Sequence, residues 1–93
     1  MSIAGEVHTA ILRIEMGATE RATNRDPADS HDNIYEWVRT ECEAVYNRLR
    51  TQYPDDVAAI EFNMTLEIHN NFGGFQDSEI TRFVAETLPF LRE

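Results

Sequence analysis

Between Ile60 and His69 large apolar residues occupy every even position, and polar residues occupy every odd one. Successive side chains of a β-strand point to opposite faces. The alternation therefore predicts a half-buried strand, with Ile60, Phe62, Met64, Leu66 and Ile68 forming one wall of a core and Glu61, Asn63, Thr65, Glu67 and His69 facing water. A slip of one residue would put the whole apolar set in solvent, so the register is fixed by the pattern itself.

The remaining elements are read against that strand. Glu6 to Met16 alternates less cleanly, with Ala10, Leu12, Ile14 and Met16 on one parity and Val7 and Ile11 breaking the other; it predicts a second strand. The segment from Gly17 to Arg25 is polar and aperiodic, which fits a loop or a short edge strand over Ala18 to Thr23. Asp26-Pro27-Ala28-Asp29 carries helix-start chemistry: a capping aspartate, a proline suited to the first position, and acids near the positive end of the dipole. From there a helix is expected to run to about Tyr53, where Pro54 disfavours helical geometry. Its apolar stripe is Ile34, Val38, Cys42, Val45, Leu49 and Tyr53, flanked by Tyr35 and Tyr46. Asn70 to Phe75 reads as a glycine-containing loop. Asp77 or Ser78 then caps a second helix with Ile80, Phe83, Val84, Thr87, Leu88 and Leu91 on one side, and Pro89 ends its regular part near Leu88, leaving Phe90 and Leu91 as a tail.

The expected fold is α+β: a sheet of two to three strands with two helices packed on one face, in β-α-β-α order, with room for an extra edge strand after the first. A sheet that small leaves a face and an edge bare, and bare edges invite pairing. A homodimer or a partner complex is therefore expected.

Composition narrows the function classes. With 93 residues the chain is read as a single domain, 1–93, near the size at which one core suffices. Seventeen acidic residues against eight basic ones give a formal charge of −9, and every basic residue is arginine. Phosphate backbones and anionic membranes repel such a chain, so neither direct nucleic-acid binding nor membrane binding is expected, whereas a basic protein or complex would attract it. No apolar run approaches the roughly 20 residues that cross a bilayer, and the N-terminus lacks a basic segment followed by an apolar one; a cytoplasmic location is expected. The single cysteine, Cys42, allows neither an intrachain disulfide nor a thiolate zinc cluster.

Chemistry-bearing residues are few. Cys42 falls in the apolar stripe of the first helix, where a thiol is packing rather than nucleophile. His8, His31 and His69 have no second ligand at metal-binding spacing, and the acids around His31 lack the calcium-loop pattern. Phe72-Gly73-Gly74-Phe75 is not a phosphate-binding fingerprint, and Asp77 and Glu79 beside it oppose an anion; a turn anchored by two phenylalanines fits better. No cofactor, no metal and no enzymatic activity are expected. Trp37 lies off the apolar stripe with Glu41 and Arg48, and tryptophan and arginine dominate binding energy at interfaces. Asp29, Asp32, Glu36 and Glu43 form an acidic row on the polar back of the same helix. These seven residues are the expected interaction surface of a non-enzymatic acidic protein-binding module. A small acidic protein without a catalytic motif resembles, in composition only, phage-encoded anti-defence inhibitors that occupy the basic channels of nucleic-acid-handling complexes. The competing expectation is a ligand-binding or catalytic subunit whose pocket forms between chains from His69, Glu67 and His8.

Overall fold

A computed structural model describes residues 2–24 and 30–88. The described residues fold into four helices, α1 (Ile3–Asn24), α2 (His31–Gln52), α3 (Val57–Asn71) and α4 (Asp77–Thr87), and contain no strand. The expected α+β fold is therefore overturned, and with the sheet goes the ground for expecting a dimer built on it.

The organising stretch is itself a helix. Ile60, Met64 and Ile68 recur at i, i+4 and i+8, so they share a helical face as readily as a strand face, and all three are fully buried. Phe62 and Leu66, on the same parity, remain 59% and 47% exposed, whereas the odd-numbered Glu61 is fully buried. Widening the window decides the period: Val57, Ile60, Met64, Ile68 and Phe72 make one continuous stripe, all packed in or against the core. Two apolar residues on the outward face of α3 imitate an alternation. Across α3 six strong helix formers (Ala58, Ala59, Glu61, Met64, Leu66, Glu67) stand beside five β-branched or aromatic residues, so propensity does not oppose the helix.

The expected strand over Glu6 to Met16 fails in the same way. Val7 and Ile11, which spoiled its alternation, are the buried pair along with Ile14, and Met16 is 67% exposed. Nor is there a loop or edge strand from Gly17 onward, because α1 continues to Asn24. Gly17 does not mark a turn. A Cβ at that position would lie 2.6 Å from Cη2 of Trp37, so the bare backbone lets the outer edge of the indole approach α1 closely.

The two expected helices are present, with shifted starts. Ser30 caps α2, its Oγ accepting from Asn33 N at 3.3 Å; Asp26, Pro27 and Asp29, expected to start it, lie outside the described residues. α2 ends where Pro54 required, with Tyr53 N–H closing on the Leu49 carbonyl at 2.8 Å. For α4 the cap is Gln76 rather than Asp77 or Ser78, and the Glu79 carboxylate reaches back to accept from Gln76 N at 2.9 Å. α4 ends at Thr87, with Leu88 as its buried C-cap; Pro89, Phe90 and Leu91 lie outside the described residues.

Contacts between helices fix their directions. Gly17 meets Trp37, so α1 and α2 run antiparallel. Tyr46 meets Glu61, which makes α2 and α3 an antiparallel hairpin, and His31 and Arg39 meet Glu79 and Glu86, which sets α4 parallel to α2. The α2–α3 hairpin is the middle of the bundle, with α1 and α4 each packed on both of its helices but not on one another. The core is one cluster: Val7, Ile11 and Ile14 from α1, Val38, Cys42 and Leu49 from α2, Ile60, Met64 and Ile68 from α3, and Ile80 and Phe83 from α4.

Candidate functional site

The seven expected interaction residues separate into two stripes. Trp37, Glu41 and Arg48, spaced i, i+4 and i+11, lie on the side of α2 turned toward α1; Asp32, Glu36 and Glu43, with the same spacing, lie on its outward side. Asp29 is outside the described residues. Trp37 is half-buried against Gly17, and the Arg21 guanidinium covers its ring at 3.9 Å. Glu41 is half-buried, while Arg48, Asp32, Glu36 and Glu43 are exposed.

Arginine placement decides how much of the negative charge is neutralised. Arg21 lies over Trp37, Arg50 over the Tyr46 ring at 5.4 Å and Arg82 over the Tyr35 ring at 5.1 Å. Arg39 bridges Glu86 at 3.0 Å and Glu36 at 3.6 Å. Three guanidiniums thus face aromatic rings rather than carboxylates. Among the described residues, Glu20, Asp32, Glu43, Asp55 and Asp56 have no ion-pair partner. No sequence pattern announced this, since the partners are far apart in the chain.

The three residues expected to converge between chains behave differently. His8 Nδ1 and Glu67 Oε1 meet at 2.9 Å within one chain and tie α1 to α3. His69, two residues on, is turned about 200° around the helix from Glu67 and is exposed on the other side. On the expected strand the two would have shared a face.

A cleft of about 380 Å³ opens at the end of the bundle where α1 and α3 finish and α2 begins. Its lining combines Glu15, Ala18, Thr19 and Ala22 of α1, His31 and Ile34 of α2, Asn71 of α3 and the loop Phe72–Phe75. Phe72 and Phe75 stack tilted at 6.1 Å, and Phe75 also meets the rings of His31 and Tyr35 edge-on, each at 5.4 Å. The two phenylalanines thus anchor the turn as expected. Gly73 and Gly74 do not use positive φ, and a Cβ on either would meet nothing. His31 Nε2 lies 2.8 Å from Glu79 Oε2. The Gln76 N–H first, and then His31, hold the Glu79 carboxyl below the usual carboxylate range. Asn71 Nδ2 donates to the Glu67 carbonyl and carboxylate, both at 2.8 Å.

Elsewhere the polar chemistry is structural. Burial, and then Glu41, push the Cys42 thiol up to about 12, so it offers no thiolate at neutral pH. The Tyr46 hydroxyl donates to the buried Glu61 carboxylate at 2.7 Å, and burial followed by that bond raises the Tyr46 pKa. Among the described residues no group of three or more His, Cys, Asp or Glu side chains is arranged to hold a metal ion, and no helix is long and apolar enough to cross a membrane. The chain matches no family model, no curated protein and no solved structure.

Proposed function

We propose that this chain is a non-enzymatic acidic helical module that binds a protein with a basic surface through the outward stripe of α2, Asp32, Glu36 and Glu43. The supporting observation is the placement of the arginines. With Arg21, Arg50 and Arg82 laid on aromatic rings, Asp32 and Glu43 have no ion-pair partner among the described residues, and Glu36 shares Arg39 with Glu86. Such a surface steers a basic partner into contact and repels phosphate. A complex that handles nucleic acid presents a matching surface, because its channel is lined with cations that neutralise a phosphate backbone. A row of carboxylates spaced by one and then two helical turns would occupy that channel in place of phosphates and inhibit the complex.

The test is affinity capture from the cells the protein comes from, with the native chain and with the triple variant Asp32→Asn, Glu36→Gln, Glu43→Gln. Native chain should retain a basic partner near 50 mM salt and release it as ionic strength rises, and the variant should retain none of it. Equal retention by both chains, or retention indifferent to salt, would remove the proposal.

A further inference from the structure

The cleft beside Glu15 is acceptor-rich. Glu15 contributes a half-buried carboxylate that has no partner among the described residues. Asn71 has committed its Nδ2 to Glu67, which leaves Oδ1 to accept. His31 Nε2 is engaged with Glu79 at 2.8 Å, and Thr19 adds a hydroxyl. Among the described residues no arginine lines the space. α3 ends at Asn71, so the carbonyls of its last turn carry their partial negative charge to the same place. The N-terminus of α2 works against this, but Ser30 occupies one of its amides and Asp32 sits in its first turn. The walls between these acceptors are Ala18, Ala22, Ile34, Phe72 and Phe75.

A ligand suited to this cleft is flat and cationic, with many donors and an apolar stem. We infer that the cleft is a binding site for a guanidinium group, with Glu15 as its counter-charge, Asn71 as a second acceptor and the Phe72–Phe75 pair as the aromatic wall. The volume lies within the range of small-ligand pockets and exceeds what one guanidinium fills, so the stem enters as well. The planar fork matches a carboxylate bidentately and stacks on rings, which a compact ammonium does not do. The same chemistry is offered by a free small guanidine and by an arginine side chain of a polypeptide. None of the outward-stripe residues of α2 lines the cleft, and only Asp32 touches its electrostatics, through the first turn of α2.

The experiment is a two-dimensional NMR titration of the full ¹⁵N-labelled chain with methylguanidine, with acetyl-Gly-Arg-Gly-amide, and with the same peptide carrying neutral citrulline in place of arginine. Saturable shifts at the amides of Asn71, Gly73 and Gly74 are expected with both guanidinium probes and not with citrulline. Tighter binding of the peptide identifies the polypeptide as the source, and equal or weaker binding identifies the small molecule. Glu15→Gln should weaken binding about fivefold, the worth of one partly exposed charge pair. Ala22→Leu, at an exposed position on the rim, should block the cleft while the remaining resonances stay in place. Absence of saturable shifts, equal binding of citrulline, or undiminished binding by both variants would overturn the inference, whatever the outcome for α2.

Discussion

The packed middle of the bundle and the cleft at its end treat a carboxylate in opposite ways. In the middle, Glu61 is fully buried and its Oε2 accepts from Tyr46 at 2.7 Å, so the polar group is absorbed into the structure. At the end, Glu15 faces open space with no partner among the described residues. Leaving a buried acceptor unbonded is costly, and a fold can afford an unbonded carboxylate only where water or a ligand reaches it. The difference separates residues that hold the bundle together from residues available for binding.

The largest effect expected from this contrast lies along α3. Met64→Ala opens a cavity in the middle and should cost about 2–5 kcal/mol, whereas Leu66→Ala, on the outward face, should stay within about 0.5 kcal/mol. Urea denaturation of the two variants measures both, and equal losses would return α3 to a strand. Next, Tyr46→Phe removes a bond to the buried carboxylate and should cost about 1–3 kcal/mol, while Glu15→Gln should stay within about 0.5 kcal/mol. A comparable loss at Glu15 would make the cleft part of the packing and erase the contrast.

A smaller effect changes sign with background. Gly17→Ala gains helix propensity but drives a methyl into Trp37, so it should destabilise the native chain. In a Trp37→Ala background the clash is gone, and the same substitution should stabilise by about 0.5–1 kcal/mol. The smallest effect is one of pH. The folded-state pKa of Glu79 is lowered from 4.5, so its contribution is present above that value and is lost as the pH falls through the folded-state pKa. Glu79→Gln should therefore lower the urea midpoint at pH 7, with the gap to native chain closing in acid. A gap that widened in acid would contradict the cause assigned to that shift.

How legible this was in the sequence varied with the length of the pattern. α2 and α4 could be read because their stripes extend over several turns and because Pro54 ends α2 where it must. α1 and α3 were misread because a ten-residue alternation contains i, i+4 and i+8 and so satisfies both periods. Val57 and Phe72, just outside the window, break the tie. Gly17 was read as punctuation because in sequence a turn glycine and a glycine under an indole look alike. Trp37, Glu41 and Arg48 were grouped correctly as one face, yet nothing local says that α1 lies against the tryptophan. Of the cleft, only the Phe-Gly-Gly-Phe turn had a signal; Glu15 and Asn71 are far apart in the chain, and only the parallel packing of α1 and α3 brings them together.

Every placement above depends on α3. Backbone ¹³Cα chemical shifts of the free protein across Val57–Asn71 test it most directly. An unbroken run of downfield, helical shifts through Glu61 and Phe62 alike is the predicted result. Upfield, extended-chain shifts over Ile60 to His69 would contradict it, and with it the separation of a packed middle from an open end.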